Sequence, residues 1–325
     1  MTRAMVLGTG SCLPRRVLTN AELEQMVETS DEWITVRTGI KERRIAAAGE
    51  ETSRLAAEAS RRALEMAGVA ADEVDMIIVG TMTSEKAMPS CACLVQKEIG
   101  AVNAFALDVN AACSGFLYSL DIADKYIQAD PAMKVLVIGA ENLSARTNWE
   151  DRTTCVLFGD GAGACLLTGS DQGRGILGSQ LLADGRLWHL LHMDAAPSLN
   201  PALVPADYAG PYIRMAGQEV FKYAVRAMQD GVAKVLAQEG IDPADVALVI
   251  PHQANIRILK SLGDRLDIPA EKIYINVHKY GNTSAASMPI ALDEANREGR
   301  LTAGDLVLFC AFGGGFTWGA AIMRW

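Results

Sequence analysis

The chain repeats itself. AGVAADEVDMIIVG at 67–80 resembles EGIDPADVALVIPH at 239–252, an offset of 172 positions. Further along, MKVLVIGA at 133–140 matches GDLVLFCA at 304–311 at an offset of 171, and AFALDVNAACSG at 104–115 matches KIYINVHKYGNT at 272–283 at 168. GAGACLL at 161–167 parallels WGAAIMR at 318–324. Similarity that returns in order at nearly one spacing marks a duplicated unit, and it restricts the chain to a fold built twice. Each half reads as strand, helix, strand, helix. The strands are continuous apolar runs of Val, Ile and Leu, as expected where helices cover both faces of a sheet. Two α/β halves follow, 1–172 and 173–325, with the junction in the turn-rich TGSDQGRGILG.

At 325 residues, half of them hydrophobic and 21% charged, the chain has ordinary globular proportions. No stretch approaches the roughly 18 consecutive apolar residues of a transmembrane helix. MTRAMVLGTGSCLP lacks the features of a signal peptide, so a cytoplasmic protein without membrane insertion is expected. A net charge of −9 weighs against nonspecific nucleic-acid binding. Seven cysteines without framework spacing point to free thiols. Neither Cys91 with Cys93 nor His189 with His192 has companions at ligand spacing, so no metal site is expected.

Ligands of α/β sheets gather at the carboxyl ends of strands. Cys113 follows FALDVN, His252 follows ALVIP and Asn282 follows KIYINVHKYG, so the duplication directs three polar residues toward one region. After Cys113, the spacing of Phe116, Leu120, Ala123 and Ile127 predicts an amphipathic helix. Its N-terminal N–H groups and dipole favour a thiolate at Cys113. A neutral imidazole at His252 can hydrogen-bond a thiol or a carbonyl. Asn282 lies in a Gly-containing turn before a helix that Thr283 or Ser284 can cap, and GGG at 313–315 can aim a backbone N–H at an oxyanion. Each residue alone has a plainer reading as a buried thiol, a structural imidazole, turn chemistry or a flexible loop. Chemistry is carried by the combination.

That combination resembles the thiolase superfamily, and within it the β-ketoacyl-acyl-carrier-protein synthase III family. The resemblance runs through GTGSCLP, DEWITVRTGIKERR, DVNAACSGF, LFGDGAGA, MAGQEVFK, PHQANIRI, HKYGNTSAAS and AFGGGFTWG in family order. It implies a thiolase-like fold, with duplicated α/β halves in a layered α-β-α-β-α arrangement, and the initiating condensation of fatty acid biosynthesis. By the resemblance, Cys113 takes an acyl group from a coenzyme A thioester such as acetyl-coenzyme A. His252 and Asn282 then hold the malonyl thioester carbonyl as CO2 leaves, yielding a 3-oxoacyl group on acyl carrier protein. The N–H groups of Cys113 and Gly314 form the oxyanion hole. Trp33 and Arg152 sandwich the adenine, and Arg37 reaches a coenzyme A phosphate. Arg257, Lys260 and Arg265 form a docking patch for malonyl-acyl carrier protein, with Lys222 and Arg214 as weaker members. An acidic enzyme needs such a local reversal of sign to meet an acidic carrier. Met88 closes the acyl pocket, reaching across from the partner in a homodimer. No cofactor is implied, since acyl-coenzyme A is a substrate.

Other members of the superfamily fit less well, because elongating synthases pair Cys with two His and thiolases carry a second Cys near the C-terminal Gly loop. Related condensing enzymes that make specialised products from coenzyme A thioesters share Cys, His and Asn and form the alternative. A cysteine thioester hydrolase is a more distant one, since papain-like sites also use these residue types. Met88, where the family commonly has an aromatic residue, and Gln218, where Asn is usual, are departures that bear on primer preference.

Overall fold

The computed structural model describes residues 2–325 and has five layers. The first sheet runs in the order Arg3–Cys12, Asp160–Ser170, Val135–Asn142, Met76–Gly80, Phe105–Val109. The second runs Leu248–Pro251, Leu306–Gly313, Thr317–Arg324, Gly175–Ala183. Between them lie the helices Gly115–Ala129 and Ser287–Arg297, buried in the largest apolar cluster. Helices Thr52–Ala67 and Cys91–Ile99 cover the outer face of the first sheet, and Gly217–Glu239 and Ile256–Leu266 that of the second. The predicted apolar stripe of Phe116, Leu120, Ala123 and Ile127 is buried throughout.

Strand register makes the duplication exact where sequence matching slips. Ile77 pairs with Leu136, and Val249 with Leu308, both in parallel, so the central strands correspond at an offset of 172. The offset of 171 read from MKVLVIGA is one residue short, a slip that would exchange the two faces of a strand. Both halves also bulge at the same place. The ladder shifts between Val6 and Gly8 in one, and opposite Ile322 and Met323 in the other, leaving Leu7 and Leu177 unpaired.

The third sequence pairing needs a larger correction. Phe105–Val109 is a full strand, but its counterpart after Ala270–Lys272 makes a single bridge, Ile273 to Val249, and then enters a short helix, Val277–Tyr280. The physical reason is Gln253. Its buried side-chain amide donates to the carbonyls of Pro251 and Tyr274, each at 2.9 Å, and accepts from the N–H groups of Asn276 and Val277 at 3.0 and 3.2 Å. One side chain thus takes bonds a ladder would make, satisfying four backbone groups of the two segments. The segment KIYINVHKYG is therefore not a strand leading to Asn282.

The turns at the start of the central helices cross over. Ala112–Ser114 packs on the second sheet's Leu306–Gly313, and Ser284–Ala286 packs on the first sheet's Val135–Asn142. Glycines allow the approach: a Cβ on Gly313 would sit 2.7 Å from the Cys113 nitrogen, and one on Gly139 would sit 2.2 Å from the Ala285 carbonyl oxygen.

Candidate active site

The Cys113 turn and Asn282, just ahead of the second turn, open onto a cavity of about 360 Å³, a volume suited to a small-molecule site. The first half contributes Asn110, Ala112, Cys113 and Phe158, and the second His252, Asn282, Phe312 and Gly314. The remaining wall is largely apolar, with Met193, Met215, Val220, Phe221 and Ile258 among its residues.

Cys113 sits in the 3-10 turn Ala112–Ser114, just before the helix Gly115–Ala129. The turn is held by a backbone bond from Ser114 to Ala111 at 3.0 Å, and Ala112 adopts a left-handed φ of 46°, a strained conformation for a residue with a Cβ. The expectation of a favoured thiolate does not hold in this structure. Burial pushes the Cys113 thiol up to about 12, outweighing the Ser284 hydrogen bond and the residue's own N–H. The sulfur is a neutral thiol at rest, because desolvation of a full charge exceeds the stabilisation from a helix end.

His252 follows Leu248–Pro251 directly, and its N–H donates to the Cys310 carbonyl at 2.8 Å. Burial lowers the imidazole to about 4, so it is neutral. Its Nδ1 is 2.7 Å from the Ser287 hydroxyl, which also accepts from the Gln253 N–H at 3.2 Å. With one lone pair engaged by Gln253, the buried hydroxyl satisfies its own proton by donating to Nδ1. Nε2 then carries the imidazole proton and is a donor. Asn282 is fixed in the same sense. Its Oδ1 accepts from the Ser284 N–H at 2.9 Å, which leaves the side-chain NH2 as the free end. Its backbone is locked to Leu157 and Gly159 at 2.8 and 3.0 Å. Neither Thr283 nor Ser284 caps the following helix, contrary to the sequence expectation, because Ser284 turns its hydroxyl to Glu141 instead, at 3.2 Å.

Gly314 lies against Ala112 and the Leu191 carbonyl beside the Cys113 turn. Trp33, Arg37 and Arg152 come together at the surface, with the two guanidinium carbons 4.8 and 5.2 Å from the indole centroid. Asn255 lines the cavity and donates to the Arg37 carbonyl at 3.1 Å, tying this cluster to the cavity wall. Arg257, Lys260 and Arg265 lie exposed on Ile256–Leu266, Arg257 stacked over Phe221 at 5.5 Å. Lys222 is paired with Glu219 at 2.7 Å and Arg214 with Asp194 at 3.2 Å, so neither presents an uncompensated charge. Met88 does not line its own chain's cavity and is 86% exposed.

Sequence reasoning passed over Glu141, Ser287 and Gln253. Glu141 had a legible signal, an acidic residue ending the otherwise apolar run VLVIGAEN. The two others lie inside quoted motifs, but their hydrogen-bond partners are distant in the chain.

Two family models match the chain: 3-oxoacyl-[acyl-carrier-protein] synthase III over residues 107–185, and the C-terminal part of the same enzyme over 236–325. The chain is 54% identical to a β-ketoacyl-[acyl-carrier-protein] synthase III of Desulfotalea psychrophila, covering 99% of each. It is 53% identical to one from Aquifex aeolicus, covering 98% of this chain and 99% of the relative. A crystal structure of the Aquifex aeolicus 3-oxoacyl-[acyl-carrier-protein] synthase III superposes with a TM-score of 0.92 at 51% identity, covering 99% of this chain and all of that one. With fold, cavity and full-length similarity in agreement, the chain belongs to the β-ketoacyl-acyl-carrier-protein synthase III family of condensing enzymes.

Proposed function

We infer that this chain catalyses the initiating condensation of fatty acid synthesis, with Cys113, His252 and Asn282 as its reacting group and donors. The observation that carries the reading is their convergence: a thiol and two neutral N–H donors face one largely apolar cavity. Cys113 accepts the acyl group of acetyl-coenzyme A or a related thioester, and its N–H with that of Gly314 holds the developing oxyanion. The malonyl thioester of acyl carrier protein then loses CO2, and the enolate oxygen is stabilised by His252 Nε2–H and the Asn282 amide. Donors already aimed where charge develops need no reorganisation in the transition state. A hydrolase would need His252 as a base toward water, a role poorly served by an imidazole held near 4.

Trp33, Arg37 and Arg152 bind coenzyme A in this reading, and Arg257, Lys260 and Arg265 receive the carrier protein, with smaller shares for Lys222 and Arg214. Among the described residues no helix is long and apolar enough to cross a membrane. The edge strand Phe105–Val109, flanked by exposed Met88, Val102, Phe105 and Tyr126, offers an apolar face for a second copy. In such a dimer Met88 closes the partner's acyl pocket. The division into 1–172 and 173–325 is one of duplicated halves, interleaved at their turns. Incubation with acetyl-coenzyme A and malonyl-acyl carrier protein tests the function: CO2 and a four-carbon 3-oxoacyl carrier are expected, and release of free acid alone refutes it.

A further inference from the structure

A neutral thiol must lose its proton to become acylated, and the structure offers few places for that proton. His252 is neutral, but its Nδ1 is engaged by Ser287 and its Nε2 carries a hydrogen. On the other side of Cys113 is a carboxyl group that the reading above leaves unused. Glu141 is fully buried at the end of Val135–Asn142. Its Oε2 accepts from the Thr81 hydroxyl and the Met82 N–H, each at 3.3 Å, and from the Thr83 hydroxyl. Its Oε1 accepts from the Ser284 hydroxyl at 3.2 Å, and the turn that carries Ser284 packs directly against the turn that carries Cys113. Ser284 is held there by a left-handed φ of 49° and by the bond from its N–H to Asn282. Such strain in a residue with a Cβ persists only where the surroundings impose it.

We propose that Glu141 is a positioning and proton-accepting residue that acts through the Ser284 hydroxyl, taking up the Cys113 thiol proton during acyl transfer. The inference rests on the acyl-transfer reading. As the bond from Sγ to the acyl carbon forms, the S–H proton passes to Ser284 Oγ and the Ser284 proton to Glu141 Oε1. The carbon–sulfur bond of the donor thioester breaks, and its thiolate is protonated by solvent. When the malonyl-derived enolate takes the acyl group, Cys113 leaves as thiolate and recovers its proton from Glu141 by the same path. The cycle closes with one solvent proton consumed. Burial raises Glu141 to about 7, which suits a group that must both take and return a proton near neutrality. The titratable groups near it are the thiols of Cys113 and Cys91, and Asp108 and Glu85 also act on Cys91.

Two readouts test the relay. In single-turnover acylation by acetyl-coenzyme A, followed by intact mass, the wild-type rate should rise with pH as Glu141 ionises. Glu141→Gln should lower that rate roughly a hundredfold at neutral pH, the usual scale of general-base assistance, and should abolish the inflection. Alkylation of Cys113 by iodoacetamide needs no acyl donor and gives the opposite sign for the rival explanation. If the carboxylate acted only as a charge, its removal would ease thiolate formation and speed alkylation; as proton acceptor, its removal slows it. Ser284→Ala should reproduce the slowing with Glu141 intact, and it carries the test if Glu141→Gln does not fold. Faster alkylation in Glu141→Gln, or slowed acylation with an unchanged pH profile, overturns the relay. A wild-type protein that takes no acyl group on Cys113 refutes the acyl-transfer reading instead.

Discussion

Glu141 and Gly313 occupy the same place in the two copies of the fold, each at or near the end of a central strand and 172 positions apart. Ala112 and Ser284 correspond at the same spacing in the turns that pack against those strands, and both have positive φ. In the second sheet glycine lets the Cys113 turn come into backbone contact. In the first, a buried carboxyl meets the Ser284 hydroxyl. One copy of the turn presents the thiol; the other presents Asn282, and His252 comes from the strand end beside it. The duplicated scaffold supplies two matched places around one cavity, and the chemistry comes from filling them differently.

The strongest way to test that division of labour is to disable one turn at a time. Cys113→Ala should abolish the acyl adduct seen by intact mass after incubation with acetyl-coenzyme A. Asn282→Ala should leave the adduct and suppress the condensation that follows by roughly a hundred- to thousandfold, the effect of losing one oxyanion-type donor. Equal loss of both steps in Asn282→Ala would mean that the two turns do not have separate roles.

The halves differ next in how the fifth strand position is filled, by a ladder in one and by the Gln253 side chain in the other. Gln253→Leu keeps the approximate volume but strips partners from four buried backbone groups, at about 1 kcal/mol each or somewhat more. Denaturant unfolding should show a loss of about 4 kcal/mol. Condensation should fall more than acylation, because His252 adjoins the lost amide. Near wild-type stability would show that water or a rearranged strand replaces it.

The duplication and the helix after Cys113 were legible because they are written in periodicity and in local apolar pattern, whereas the layered order came only from the family resemblance. The first repeat, at 67–80 and 239–252, aligned at the true offset because both copies begin at the glycine cap of a helix, Gly68 and Gly240, and run through a short turn into a buried strand. The repeat at 272–283 failed for a physical reason. Between the strand pairing and the strained turn the second half has eleven positions, Ile273 to Ser284, where the first has six, Ala106 to Ala112. The extra residues form Val277–Tyr280. A side chain replacing a ladder leaves no period to read. The protonation of Cys113 was equally out of reach, since burial depends on contacts between residues far apart in sequence.

The two halves also bury titratable groups of opposite kind. Burial raises Glu141 from 4.5 to about 7 and lowers His252 from 6.5 to about 4. Glu141 binds its proton more tightly in the folded state, so its contribution to stability is lost as pH rises from its unfolded value through about 7. His252 binds its proton less tightly, so its contribution is lost as pH falls from 6.5 through about 4. Each shift is worth about 3 kcal/mol at full extent. Relative to wild type, Glu141→Gln should therefore gain stability as pH rises from 4.5 through about 7 and change no further above it, and His252→Asn should gain as pH falls from 6.5 through about 4. Stability curves that run parallel to wild type across both ranges would show that these groups are not the source of the pH limits.

The smallest expected difference lies at the mouth, where the first half presents Trp33, Arg37 and Arg152 and the second presents the helix Ile256–Leu266. If the former serves coenzyme A and the latter the carrier protein, a charge reversal on the helix should separate the two substrates. Arg257 is exposed and its guanidinium rests over Phe221 at 5.5 Å, beside the cavity but not buried in it. A rim charge of this kind acts through encounter and is worth up to about 1 kcal/mol, or roughly fivefold in rate. Arg257→Glu should raise KM for malonyl-acyl carrier protein by about that factor and flatten its dependence on salt, since exposed charges are screened over about 10 Å at moderate ionic strength. Acylation of Cys113 by acetyl-coenzyme A should be unchanged. Because the stack on Phe221 is lost with the charge, Arg257→Gln is the necessary companion: it should show a smaller rise in KM if charge dominates. An equal effect of Arg257→Glu on both half-reactions would point to a distorted cavity wall and would remove this helix from the carrier-protein surface.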